Sequence, residues 1–173
     1  MATRFWISLL TILFGATLWA DNAASTPVER VKINNAVWYY KPEQTFKRIG
    51  EYFDGIERTG RKIIIRTQDE PREGLYFIVR LNEYADELPR GCAFAVDLLR
   101  HDGKEPETTI FNFPENPTPH REFWLGYTGE SEPPEESAPV AWQVRLLNPE
   151  GETIARLPSF LWEKPATDQA DEG

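Results

Sequence analysis

Residues Val140-Ala141-Trp142-Gln143-Val144-Arg145-Leu146 decide the fold. Val140, Trp142, Val144 and Leu146 alternate with Ala141, Gln143 and Arg145, the period-two pattern of a strand with one face on a core and the other toward solvent. Asn148-Pro149-Glu150-Gly151 then supplies a turn into a second short run, Thr153 to Leu157. Pro158 marks a bend, after which Phe160-Leu161-Trp162 is expected to close the domain. Upstream, Leu75, Phe77, Val79 and Leu81 share one face of another alternating run, with Tyr76, Ile78 and Arg80 on its reverse.

The remaining segments extend the same rhythm. Lys62 to Thr67 carries three consecutive isoleucines, 63 to 65, the composition of a strand covered on both sides. Cys92 to Leu99 and Glu107 to Phe113 flank His101-Asp102-Gly103-Lys104 and read as a hairpin around an Asp-Gly turn. Phe123 to Thr128 is a strand between two proline-rich loops, 114 to 122 and 129 to 139. At the beginning, Val28 to Ile33 and Ala36 to Tyr40 read as two edge-like segments. Phe46, Ile49 and Phe53 sit at helical spacing, but Gly50 and Gly55 weaken a helix, so a strand is expected over 46 to 53.

These signals predict an all-β domain of seven to nine strands, folded as an antiparallel two-sheet sandwich. No long helical pattern alternates with the strands, which argues against a parallel α/β sheet and its nucleotide crevice. In strand rhythm the chain resembles immunoglobulin-like and fibronectin type III-like sandwiches. With Cys92 as its one cysteine it lacks the Cys-Trp-Cys pattern of antibody domains, so the resemblance implies an architecture and no residue roles.

The ends of the chain have a different composition. Arg4 precedes an apolar run from Phe5 to Leu18 that contains no acid. That run has the length of a signal-peptide core and is shorter than the roughly 20 residues a spanning helix needs. Residues 1–20 are therefore expected to be a signal peptide cleaved after Ala20, followed by a flexible segment at 21–27 and the β-sandwich at 28–163. A disordered acidic tail is expected at 164–173. The mature chain carries no expected integral membrane span, and its destination is periplasmic or extracellular. A lone Cys92 allows no internal disulfide there, and its apolar surroundings make it a small buried hydrophobe.

The chain is 173 residues long, with 19 Lys and Arg against 28 Asp and Glu, a formal net charge of -9. That field disfavours nucleic-acid binding. Reactive constellations are also missing from the sequence. His101 and His120 lie in loops, no Gly-x-Ser-x-Gly elbow accompanies them, and Cys92 with His101 has no recognisable local signature. The cysteine and histidines share no zinc spacing. Residues 102–107 lack a calcium-loop pattern, no phosphate-cradling Gly-x-x-x-x-Gly-Lys occurs, and no cofactor is expected. Asp97 interrupts an apolar strand and is expected on its solvent face with Ala93 and Ala95.

The functional expectation is a non-enzymatic exported binding module for an unknown protein partner. It would act through a sheet edge, an aromatic patch, or the loops at 114–122 and 129–139. The alternative is a carbohydrate-binding module in which exposed rings stack on sugars, with Tyr39, Tyr40, Trp124 and Tyr127 as candidate ligand-binding residues.

Overall fold

Eight short strands form where the alternation is written. They are β1 (Ile33–Lys41), β2 (Ile63–Arg66), β3 (Gly74–Leu81), β4 (Ala93–Arg100), β5 (Glu107–Asn112), β6 (Glu122–Thr128), β7 (Pro139–Leu147) and β8 (Thr153–Pro158). Among the described residues, two single helical turns, α1 (Glu51–Asp54) and α2 (Phe160–Glu163), complete the regular structure apart from short 3-10 turns. This computed structural model describes residues 31–101, 105–131 and 138–163. The expected leader at 1–20, the segment at 21–27, the tail at 164–173, the turn at 102–103 and most of the 129–139 loop lie outside the described residues. Among the described residues, no helix is long and apolar enough to cross a membrane.

The strands make two four-stranded sheets, ordered β1-β3-β6-β2 and β5-β4-β7-β8. The chain is thus an all-β two-sheet sandwich, with one correction to the antiparallel expectation. β2 runs parallel to β6, with Ile63 opposite Phe123 and Arg66 opposite Gly126. Thr67 locks this pairing at its end: its amide donates to the Gly126 carbonyl at 2.9 Å, and its hydroxyl accepts from the Thr128 amide at 3.0 Å. The buried Thr128 hydroxyl in turn donates to the Gln68 carbonyl.

Inward-facing residues of both sheets build the main core. Leu75, Phe77, Val79 and Leu81 of β3 meet Phe94, Val96 and Leu98 of β4 and Val144 and Leu146 of β7. Aromatic rings bridge the sheets edge to face, Phe94 on Phe123 at 4.9 Å and Phe77 on Trp142 at 5.6 Å, a geometry that aligns ring edges with ring faces. Cys92 is buried in this core, and burial pushes its thiol above the usual range.

Three local expectations need correction. Residues 33–41 form one strand with an irregularity between Ile33 and Asn35, so the segment expected at 36–40 begins at Ile33, and residues 28–30 of the segment expected at 28–33 lie outside the described residues. The expected strand at 46–53 is instead a 3-10 turn at Glu43–Thr45 followed by α1, because Gly55 takes a left-handed φ of 68° and closes the turn by donating to the Glu51 carbonyl. The closing segment Phe160-Leu161-Trp162 is a helical turn that leaves Phe160 and Leu161 exposed.

Asp97 also departs from expectation. It does lie on the outer face of the second sheet, but it is buried there rather than solvated. Its carboxylate accepts from Arg145 Nε at 2.7 Å and Nη2 at 2.9 Å, Thr108 Oγ1 at 2.6 Å and Gln143 Nε2 at 3.2 Å. Burial pushes this carboxyl up, and the four hydrogen bonds outweigh it, holding Asp97 below the ordinary carboxylate range.

Candidate functional site

The outer face of the first sheet is where the sequence departs most from a solvated strand surface. In the register of that sheet, Tyr39, Tyr76, Gly126 and Arg66 form one row across the four strands, and Val37, Ile78, Trp124 and Ile64 form the next. Both rows are too apolar to face water. The β1–β2 connection, residues 42–62, crosses them as a strap. Phe46 is its plug: buried, it sits 5.0 Å from the Tyr76 ring and 6.0 Å from Trp124. Burying one such side chain contributes about 1.5–3 kcal/mol. The isoleucine triplet now has its reason, since Ile63 and Ile65 face the main core while Ile64 packs under the strap.

Tyr76 is held across the sheet by an absent side chain. Its ring passes over Gly126, where a Cβ would stand 2.4 Å from Tyr76 Cε1. That passage lets the Tyr76 hydroxyl accept from Arg66 Nε at 2.8 Å and donate to the Arg72 carbonyl at 2.6 Å. Arg66 continues outward as a bidentate pair on Glu57 of the strap, with N–O distances of 2.9 and 2.6 Å, and its guanidinium lies 4.9 Å over the Phe46 ring. The hydrogen bonds from Arg66 hold the Glu57 carboxyl below its ordinary range. Arg72 adds a second clamp, reaching Glu51 of α1 and Glu70.

Anchored in this way, the strap turns its other apolar side chains to solvent. Ile49, Tyr52, Phe53 and Ile56 are 81%, 77%, 86% and 61% exposed. Four large apolar residues exposed within eight positions, on a segment fastened by a plug and two arginine clamps, concentrate apolar exposure in one part of the chain.

The four aromatic candidates from the sequence do not assemble into one platform. Tyr39 and Tyr40 are half exposed on opposite faces of the edge strand β1. Trp124 is buried under the strap cluster, with Lys62 Nζ 3.4 Å from its ring centroid and Lys41 Nζ at 5.4 Å, so the expectation of an exposed Trp124 is corrected. Tyr127 points between the sheets against Phe77 and Phe111, which corrects its assignment as a surface ring. Burial pushes its phenol up to about 12.

The residues considered for chemistry also stay apart. Phe94 near the start of β4 packs on Phe123 near the start of β6, so His101, after the end of β4, and His120, before the start of β6, lie at opposite ends of the sandwich. Buried Cys92 precedes β4 and His101 follows it, with the full length of a strand between them. Among the described residues, no group of three or more His, Cys, Asp or Glu could hold a metal ion.

The apolar surface on the strap was not foreseen from the sequence. Its available signal was the Phe46, Ile49, Phe53 spacing together with the isoleucine triplet, which implied a second cover over the first sheet. Comparison with protein-family models, curated proteins and solved structures finds no match for the chain.

Proposed function

We propose that this chain is a non-enzymatic, exported binding module that engages another protein through the strap at residues 42–62. The observation that carries the reading is the exposure of Ile49, Tyr52, Phe53 and Ile56 on a segment that the fold has fastened in place. An apolar surface on a pre-ordered segment can bind a partner without the ordering cost of a mobile loop. The exported location rests on the leader-like composition of residues 1–20. The carbohydrate alternative retains Tyr39 and Tyr40 as half-exposed rings, but they lie on opposite faces of β1 and its other two candidates, Trp124 and Tyr127, are covered or in the core, which favours a protein partner.

Strand order supports a finer assignment to the immunoglobulin-like or fibronectin type III-like plan. With β2 set aside, β1-β3-β6 and β5-β4-β7-β8 read as strands A-B-E and C′-C-F-G. β2 comes from the A–B crossover and occupies the edge where constant-type immunoglobulin domains carry strand D.

The test is photocrosslinking from a probe placed at Tyr52, in cells of the source organism, compared with the Ile49→Ser/Phe53→Ser double variant. The expected result is one dominant crosslinked protein that disappears in the variant while its urea midpoint stays at the wild-type value. Crosslinks of equal yield in both proteins, or none in either, would overturn the strap as a contact surface. A crosslink to a second copy of the chain would make the surface a homodimer interface and overturn the proposal of a different partner.

A further inference from the structure

Beside the strap lies a cleft of about 740 Å³ at the end of the sandwich where β3 finishes and β6 begins. Its chemistry runs against that of the chain. The protein carries a net charge of -9, yet Arg48, Arg61, Lys62, Arg80 and Arg121 all line this cleft, against Glu122 as its one carboxylate. Glu122 is occupied: Arg80 donates to it at 2.7 Å and Trp124 Nε1 at 2.9 Å. Among the described residues, no carboxylate lies within ion-pair distance of Arg48, Arg61, Lys62 or Arg121.

Distant parts of the chain contribute these cations. Arg48 comes from the strap, Arg61 and Lys62 from the approach to β2, Arg80 from the end of β3 and Arg121 from the approach to β6. Gathering like charges around one cavity costs electrostatic energy unless an anion offsets it. Lys62 registers that environment: burial pulls its ammonium below the usual range, and the charges of Arg48 and Lys41 add to the effect against the opposing charges of Glu122 and Glu57. The Debye length at physiological salt is about 8 Å, so an anion seated in the cleft responds to these cations more than to the distant acidic surface.

The shape and lining select among anions. The volume exceeds what one phosphate fills, and the cations come from separate segments of the chain rather than from one loop. Sugar stacking lacks a free ring, because Arg121 lies 3.9 Å over Tyr84 and Lys62 covers Trp124. Continuity with the strap is direct: Arg48 lines the cleft, and its neighbour Ile49 opens the apolar surface.

We propose that this cleft binds an acidic polypeptide segment, with several Asp or Glu carboxylates against Arg48, Arg61, Lys62 and Arg121 and apolar side chains continuing onto the strap. The inference rests on the protein-binding reading above and names the chemistry of the partner.

The probe is a fluorescent octaglutamate peptide titrated into the full chain, followed by anisotropy and by the arginine side-chain NH resonances. Saturable binding is expected, with shifts confined to Arg48, Arg61, Arg80 and Arg121 and clear weakening between 50 and 500 mM salt. The Arg48→Gln/Arg61→Gln variant removes two exposed cations and is expected to weaken binding roughly fivefold. Its urea midpoint should remain at the wild-type value. Unchanged affinity in that variant, non-saturable binding, or equal displacement by millimolar inorganic phosphate would overturn the proposal. Tighter binding of an octagalacturonate than of octaglutamate would overturn the peptide assignment in favour of an acidic glycan. The Ile49→Ser/Phe53→Ser variant separates the two readings, since octaglutamate binding that persists in it supports the cleft even where strap crosslinking fails. Strap crosslinking without octaglutamate binding overturns the cleft alone.

Discussion

Gly126→Ala tests the mechanism that anchors the strap. Gly126 sits within β6, where alanine has the better intrinsic backbone entropy by about 0.5–1 kcal/mol, so a reading from propensity alone expects the variant to be at least as stable. The structure argues the opposite sign. The new methyl would lie 2.4 Å from Tyr76 Cε1 and 2.7 Å from Cζ, roughly 1 Å inside carbon–carbon contact. Tyr76 cannot simply swing aside, because its ring is fully buried between Phe46 and Trp124 and its hydroxyl is held by Arg66 and the Arg72 carbonyl. Overpacking of this kind costs about 1–3 kcal/mol, and losing one of the two hydrogen bonds adds about 1 kcal/mol. The net expectation is a destabilisation of about 1–3 kcal/mol, measured by urea unfolding followed through tryptophan fluorescence, with an unchanged m-value. Tyr76→Leu in the same background removes the clash, so the double variant should be less destabilised than the sum of the singles by about 1 kcal/mol or more. A Gly126→Ala protein as stable as wild type, or strictly additive variants, would refute the crossing of Tyr76 over Gly126.

Arg66→Gln removes the bidentate pair on Glu57 and the donor to Tyr76, so amide exchange at Phe46 and Gly55 should accelerate roughly tenfold while amides of β4 and β7 keep their rates. Asp97→Asn leaves Arg145 without its carboxylate, and the partial exposure of that pair limits the expected loss at pH 7 to about 1–2 kcal/mol. Because the folded carboxyl of Asp97 is held below its unfolded value, its contribution is complete above about pH 4 and fades as pH falls through the folded value. The urea midpoints of wild type and Asp97→Asn should therefore converge on acidification. Tyr127 gives the opposite limb. With its phenol raised to about 12 against roughly 10 when unfolded, Tyr127 should lower stability by about 1.4 kcal/mol per pH unit between those values, and Tyr127→Phe should remove that part of the slope. Ultraviolet titration should likewise leave Tyr127 un-ionised at pH 11 until the fold is lost, a contribution identified by its absence in Tyr127→Phe.

What was legible in the sequence was whatever a single strand can encode. β3 and β7 carry their inward faces as every second residue, and the hairpin of β4 and β5 needs only adjacent segments, so both follow from local pattern. The parallel placement of β2 beside β6 does not, because it depends on Thr67 meeting Gly126 and Thr128 some 60 positions away. Asp97 shows the same limit in one residue: alternation correctly assigns its face, but its burial comes from Thr108, Gln143 and Arg145 on neighbouring strands.

The aromatic candidates were misjudged for a related reason. A tryptophan on an outward-facing position looks exposed until another segment covers it, and the cover over Trp124 is a strap whose own sequence reads ambiguously between strand and helix. Gly55, one of the two glycines that weakened the helical reading, takes the left-handed φ that closes one tight turn, and around that turn Ile49 and Phe53 are exposed while Phe46 is buried. The cleft was less legible still, since its five cations lie between positions 48 and 121 with no local clustering beyond Arg61-Lys62. Net charge averages over such an arrangement. Excluding nucleic acid from a total of -9 addresses the whole surface, whereas the recognition argued here depends on five side chains that the topology brings to one end of the sandwich.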